Sequence, residues 1–453
     1  MTGWRRARIG DLCEIIKGET GLASSTPGQY PLVATGADRR SCDSWQFDTE
    51  AVCIPLVSST GHGKKTLNYV HYQTGKFAVG TILAAVIPKD PTILTARFLH
   101  LYLSHFKDTV LVPLMKGAAN VSLSMKEIAS VEIPVPPLDE QQSLIDLIFH
   151  IEDEHRELLS ETNRQGTLLK QLRQAVLQDA VEGKLTTEWR KQHPVVKGDP
   201  QYDAVALLAQ IKAEKMRLVK AGKIRLEKPL PPIDDNAKTL ELPAGWVWCK
   251  IDELVRSLKD DIRTGPFGTS LQKQEHKKAG IPVWGIESID KKGAFTGKNK
   301  IFVTVEKAAE LKSFAVAAKD IIISRSGTVG ELCRLPDDVI FGLISTNLMK
   351  ISLDRTVVSP DYFCLLFKGT KSIDVQLEVL CFGTTRLFLT QSILTQLLFP
   401  LPTLGEQQAI VARVECLMAT IDELENQRVE TQNFASLLMQ AVLREAFSER
   451  VER

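Results

Sequence analysis

The chain has 453 residues, 44% hydrophobic and 25% charged, with a net charge of +1. That is length enough for two or three domains, each burying its own core. No apolar run reaches the ~20 residues a bilayer needs, no signal-peptide core follows the N-terminus, and the eight cysteines lack zinc spacing. A membrane protein, a secreted disulfide scaffold and a zinc module are set aside, and reduced thiols in a cytoplasmic protein are expected.

In chain order, residues 1–138 carry +3 and contain short apolar, β-rich runs (51–57 and 81–87) and a helical piece at 96–106. Residues 139–185 carry −5 and read as one long helix. Its Pro-x-Pro start is followed by Asp139 and Glu140 at the positive end of the helix dipole. A basic connector at 186–242 (+3) is broken by Pro194, Pro200, Pro229, Pro231 and Pro232. It holds one candidate helix, 202–220, read as a solvated connector with Leu208, Ile211 and Leu218 on one face. The pattern then repeats. Residues 243–404 (+4) contain β-rich runs at 320–323 and 347–353 and a helical piece at 360–367, and 405–453 (−4) form a second long helix. Basic blocks alternating with acidic helices give weak support to a polyanion partner, because local patches bind phosphates.

The repeat is literal. Ile133-Pro134-Val135-Pro136-Pro137-Leu138-Asp139-Glu140-Gln141-Gln142 recurs as Phe399-Pro400-Leu401-Pro402-Thr403-Leu404-Gly405-Glu406-Gln407-Gln408, an offset of 266. The same offset carries Leu123 to Leu389 and Gln174-Ala175-Val176-Leu177 to Gln440-Ala441-Val442-Leu443. Each long helix shows a near-heptad stripe: Leu144, Ile148, Ile151, His155, Leu158, Thr162, Gln165, Leu169, Leu172 and Val176, with every member matched 266 residues later. Helices that long, with one apolar stripe each, are expected to pack on each other.

No catalytic constellation stands out. The Pro-Pro pairs lack the flanking acid or amide and aromatic of an amino-methyltransferase, and Gly61-His62-Gly63-Lys64-Lys65 lacks the phosphate-loop frame. No nuclease acidic pair or hydrolase triad is visible.

Two variable blocks, each ending in Leu-x-Glu-Gln-Gln before a long helix, resemble the specificity subunits of type I restriction-modification enzymes. Gly265-Pro266-Phe267-Gly268-Thr269-Ser270 resembles the opening of a target recognition domain. The run from Asp320 to Gly330 resembles its central strand and Gly turn, and Glu182-Gly183-Lys184-Leu185-Thr186 is similar to the family's central region. The first half has no Gly-Pro-Phe-Gly, and its equivalent turn reads Ser59-Thr60-Gly61-His62-Gly63.

The resemblance implies an α+β chain with an internal pseudo-two-fold repeat: two similar α/β recognition domains (1–138 and 243–404) separated by two long antiparallel, coiled-coil helices (139–185 and 405–453), with 186–242 as linker. It implies double-stranded DNA as ligand, each domain reading half of a split target. Two modification subunits carrying S-adenosylmethionine would dock on the helices, and restriction subunits would join. This chain itself would hold no cofactor, no metal and no catalytic residue. Two readings compete with it: an enzyme fused to its own recognition domain, disfavoured by the missing motifs, and a non-enzymatic coiled-coil scaffold for other proteins.

Loops rich in Ser, Thr, Gly and Arg suit DNA, since glycine lets the backbone approach phosphates, hydroxyls meet phosphate oxygens and arginine grips guanine edges. The candidates are Arg39, Arg40, Ser59, Thr60, His62, Lys64 and Lys116 in the first domain. In the second they are Arg263, Thr264, Ser324, Arg325, Ser326, Thr328 and Arg386.

Overall fold

The structure is a computed structural model that describes residues 4–60, 63–228, 230–234, 238, 240–267, 270–290, 293–326, 329–368, 371–381 and 389–448. His62, Thr328 and Arg386 lie outside the described residues. The chain divides into two compact units, Met1–Arg164 with Arg428–Arg453, and Gln165–Gln427.

In the first unit, β1 (Arg5–Arg8) pairs antiparallel with β10 (Glu132–Val135), closing the domain where its chain begins and leaves. One sheet has the order β2 (Cys13–Lys17), β9 (Leu83–Pro88), β6 (Ala51–Pro55), β7 (His71–Gln73). A second has the order β4 (Arg40–Cys42), β3 (Tyr30–Val33), β8 (Lys76–Val79), β5 (Phe47–Asp48), with β3 and β8 parallel. The first sheet's central strands are buried on both faces, as their unbroken apolar runs require. Val52, Ile54 and Val86 pack in one cluster with Phe98, Leu99 and Leu103 of the helix Ala96–Val110. That helix starts where the Thr95 hydroxyl accepts the Phe98 N–H at 3.2 Å.

The second unit repeats the plan. Strand β11 (Val247–Lys250) pairs with β19 (Leu398–Leu401). The four-stranded sheet runs β12 (Ile262–Thr264), β18 (Leu348–Ile351), β15 (Ile321–Ser324), β16 (Leu332–Arg334). A smaller sheet runs β14 (Ile301–Val303), β13 (Ile281–Trp284), β17 (Leu343–Ile344), with β13 and β17 again parallel. Pro55 opposite Leu83 and Ser324 opposite Leu348 occupy the same place in the two sheets. The duplication therefore extends through β-blocks whose sequences no longer align by eye.

The long helices are Leu138–Val181 and Leu404–Ser448, 44 and 45 residues, each about 66 Å at ~1.5 Å per residue. In the second unit Glu406 bonds Thr186 and Arg190, while Asp422 pairs with Arg173. As one helix advances its partners recede, which is antiparallel pairing. In the first unit Leu144, Ile145 and Ile148 share a cluster with Val442, Leu443 and Phe447, in the same sense.

Three of the ten expected stripe positions in each helix are displaced by one residue. Ile148, His155, Thr162, Leu169 and Val176 are buried or half-buried, but Leu158, Gln165 and Leu172 face outward, as do Leu424, Thr431 and Leu438. The second seam position falls on Leu159, Gly166 and Arg173, and 266 residues on at Glu425, Gln432 and Met439, all half-buried. Hydrophobicity pointed to the neighbouring leucines because these seam residues are largely polar or small. The connector reading also changes. The helix Ala204–Lys220, capped by Asp203, buries Leu207, Leu208 and Ile211 in the second unit's core, and Lys212 pairs with Glu253 at 2.7 Å. It is an element of that unit, because one apolar face and a matched charge suffice to dock it.

Candidate nucleic-acid interface

Each recognition domain is fastened to a long helix through the Glu-Gln-Gln motif. Gln141 is fully buried: its oxygen accepts the Thr95 N–H at 3.0 Å, and its amide donates to Ile93 O at 2.8 Å and Pro136 O at 2.9 Å. Gln407 does the same with the Ser359 N–H (2.7 Å), Val357 O (3.0 Å) and Pro402 O (2.9 Å). The amide alone supplies both donor and acceptor at this corner. The glutamate before it accepts an indole N–H, Trp4 on Glu140 at 2.9 Å and Trp246 on Glu406 at 2.8 Å.

With the domains held this way, equivalent loops meet at the same sheet edge. In the first domain these are 18–20 after β2, 58–60 and 63–66 after β6, 80–82 before β9, and 116–122. Gly18 N donates to Leu83 O (2.9 Å), and an added Cβ at Gly18 would lie 2.3 Å from Gly80 O, so only glycine fits. Gly265 N donates to Leu348 O (3.0 Å), with a Cβ there 2.0 Å from Ser345 O. Gly18-Glu19-Thr20 is thus the first-domain counterpart of Gly265-Pro266-Phe267, and the Ser59 loop instead matches the turn after β15.

The Ser59 loop is built by its own hydroxyls. Ser58 Oγ donates to Lys64 O at 2.5 Å, Thr60 and Thr66 hydroxyls lie 2.7 Å apart, and Ser59 Oγ accepts the Asn68 N–H at 2.9 Å. Lys64 projects from this rim, exposed. Lys116 lies on the adjoining segment, bonded across to Ser122, with its ammonium 2.7 Å from Glu127. That lysine and the Ser124 cap hold the Glu127 carboxyl down at about 2. The structure therefore brings Ser59, Thr60, Lys64 and Lys116 together. Arg40 and Arg39 are both exposed, but the Arg39 guanidinium is tied down: it donates to Gln73 Oε1 (2.9 Å) and Tyr72 O (3.1 Å), and its Nη1 lies 3.1 Å from His71 Nδ1.

In the second domain, Ser324 closes β15 with its hydroxyl donating to Ser326 O (3.1 Å), and Ser326 Oγ donates to Asn347 Oδ1 (3.1 Å). Arg325 is 5% exposed, its Nε donating to Leu389 O at 3.2 Å and Nη1 to Thr346 O at 3.4 Å. A free guanidinium fork for a guanine edge is not what this side chain presents. It lies under the Phe267 ring, 5.0 Å from the centroid. Arg263 and Thr264 lie on β12, lining an open cleft of about 530 Å³ with Lys259, Phe314 and Gln391, and Arg263 comes within 3.5 Å of Asp260. Phe267, Thr346 and Asn347 belong to this edge and escaped the sequence reading, although the Gly-Pro-Phe motif marks the first of them.

The two-part frame has matching relatives. The family model for the type I restriction modification DNA specificity domain matches residues 1–165 and 243–431. The type I restriction enzyme EcoEI specificity subunit of Escherichia coli is 25% identical over 260 residues, covering 56% of this chain but only 41% of that protein. The EcoDI specificity subunit of Escherichia coli is 22% identical over 448 residues, 98% of this chain and 88% of that one. Among solved structures, the HsdS subunit from Thermoanaerobacter tengcongensis superposes with a TM-score of 0.58 at 16% identity, over 99% of this chain and 97% of that one, and so has the same fold. Matched in both of its halves, the chain belongs to the type I restriction modification DNA specificity domain family.

Proposed function

We propose that this chain is the non-catalytic, DNA-reading subunit of a type I restriction-modification complex in the cytoplasm, residues 1–138 reading one half of a bipartite double-stranded target and residues 243–404 the other. The observation that carries this is one frame used twice with different loops: the same strand orders and the same edge glycines present Ser59, Thr60 and Lys64 in one domain and Ser326, Asn347 and Phe267 in the other. A shared scaffold with divergent polar loops is what reading two different half-sites requires. The antiparallel helices then set the spacing between half-sites. Their outward leucines and phenylalanines support docking of two helical modification subunits bearing S-adenosylmethionine, with restriction subunits joining. Leu147, Phe149, Leu168 and Leu172 on one helix and Leu424, Phe434, Leu437 and Leu438 on the other remain exposed beside the seam.

Mapping methylated adenines in host cells tests the reading. Exchanging residues 1–138 for the same block of a relative is expected to change one half of the methylated motif and leave the other half and the spacer as they were. A change in both halves, or none in either, refutes it.

A further inference from the structure

The two recognition domains differ at one coupled pair of positions. Leu123 N donates to Leu56 O (2.9 Å) and Leu389 N to Arg325 O (3.0 Å), so Leu56 and Arg325 occupy the same place in the frame. Two residues after the edge glycine stand Thr20 in one domain and Phe267 in the other. Leu56 packs on the first domain's core, as this inward-facing position invites. Arg325 instead turns its guanidinium, fixed by two main-chain carbonyls, to one face of Phe267. The change from leucine to arginine thus accompanies the appearance of an aromatic ring. A guanidinium beneath a ring attracts its electron-rich face and holds it in orientation.

Phe267 is 53% exposed even so. It follows Pro266, whose φ is fixed by its own ring and whose carbonyl accepts the Thr346 hydroxyl at 2.8 Å. Thr346, bonded to the residue before it, is followed by Asn347, whose side chain accepts the Ser326 hydroxyl. A half-open aromatic ring, supported on one face by a cation and followed along the same edge by hydroxyls and an amide, matches a nucleobase: apolar surface for its face or methyl group, hydrogen-bonding groups for its edge.

Resting on the DNA-reading role proposed above, we propose that Phe267 is a specificity-determining residue of the second recognition domain, its ring laid against a base of that half-site, with Arg325 as the residue that positions it. The first domain, with Thr20 and Leu56 at these two positions, lacks this contact.

The test uses the whole chain with its modification partners. In host cells, Phe267→Ala is expected to relax one position of the half-site read by residues 243–404, raising methylation of sites mismatched there about ten-fold, while Phe267→Tyr keeps the wild-type motif. Arg325→Leu is expected to relax the same position as Phe267→Ala. An unchanged mismatch spectrum for Phe267→Ala overturns the proposal, as does uniform loss of methylation in Phe267→Ala and Phe267→Tyr alike, which marks a purely structural residue. The wild-type complex supplies a check independent of variant folding. On purified duplexes, replacing each thymine of that half-site with uracil, or placing 2-aminopurine at each step, is expected to lower affinity or raise fluorescence at one position. Absence of both responses overturns the contact. Failure of the DNA-reading role itself is seen separately, as a methylated motif that ignores exchange of residues 243–404.

Discussion

The two domain–helix junctions use one motif and complete it differently. At the first, Glu140 accepts the Trp4 indole N–H and remains half-exposed. At the second, Glu406 is 3% exposed. It holds Trp246 with one oxygen and, with the other, the Thr186 hydroxyl at 2.7 Å and the Arg190 guanidinium at 2.5 Å. Arg190 also donates to Gly183 O at 2.7 Å. Gly183 has φ +70°, and a Cβ there would lie 3.0 Å from both Trp246 and Arg190, which explains the glycine of Glu182-Gly183-Lys184-Leu185-Thr186. The same carboxylate is thus an accessory at one junction and a buried hub at the other.

The comparison predicts unequal costs for equal substitutions. Glu406→Ala leaves the Arg190 charge without its partner in a largely dry site and is expected to cost about 3–5 kcal/mol. Glu140→Ala removes the charge-assisted bond to Trp4 at a half-exposed site and is expected to cost about 1.5–3 kcal/mol. Hydrogen exchange in each helix's first turns, together with denaturant unfolding, measures both. Equal losses would mean that the Arg190 segment adds nothing to the second junction.

That inequality was invisible in the sequence, although the junction was not. The 266-residue offset exposed Glu-Gln-Gln because covalently adjacent residues serve one corner. Glu406 meets Thr186 and Arg190 only through folding, at sequence separations of 220 and 216. Helix existence and the duplicated plan were legible for the same reason: both are local patterns, repeated. The seam was read only in part, since His155, Thr162 and Arg428 lie where the heptad put them, whereas Gly166, Arg173 and Glu425 carry no hydrophobic signal. Among the proposed contact residues, composition marked the right loops but not the direction of each side chain. Arg39 and Arg325 look like DNA-reading arginines in a string of letters, yet both are committed to main-chain carbonyls.

A second contrast follows from Arg39. A guanidinium only donates, so its approach to His71 Nδ1 keeps that imidazole neutral. Burial, then the charge of Arg39, then His100 lower the His71 pKa from 6.5 to about 4. The equivalent place in the second domain is taken by Cys333, a buried thiol pushed up to about 12 and silent in acid. For a histidine whose folded pKa is depressed, stability is complete above the unfolded value of 6.5. It falls with pH as the unfolded chain alone takes up the proton, and levels off below about 4. The first domain is expected to lose up to about 1.4 kcal/mol per pH unit across that window. His71→Gln should flatten the slope in part, because burial also lowers the pKa of His100 in the same domain. Thermal unfolding from pH 7 to 4, with probes in each domain, would reject the idea if both domains weaken in parallel.

The smallest effect concerns the rim itself. In the first domain the helix Met125–Ser130 begins with a full capping box, Ser124 to Glu127, and the Glu127 carboxylate also holds Lys116. In the second domain Thr390 caps Gln391–Leu394 alone, and Ile393 stands where Glu127 does. The first domain therefore masks a rim lysine with a carboxylate that the second domain lacks at the equivalent position. Glu127→Gln keeps a side chain able to complete the capping box and leaves the fold nearly as stable, but it frees the Lys116 charge. If Lys116 meets a phosphate, the variant complex should bind duplex DNA slightly more tightly at low salt. The dependence of log affinity on log salt should steepen by up to about one unit, with the methylated motif unchanged because a phosphate contact carries no base information. The converse change, Lys116→Gln, should shift the slope little, since its charge is already paired in the wild type. A steeper slope for Ile393→Gln as well would show that the effect comes from capping in general. An unchanged slope for Glu127→Gln would remove Lys116 from the DNA-facing rim.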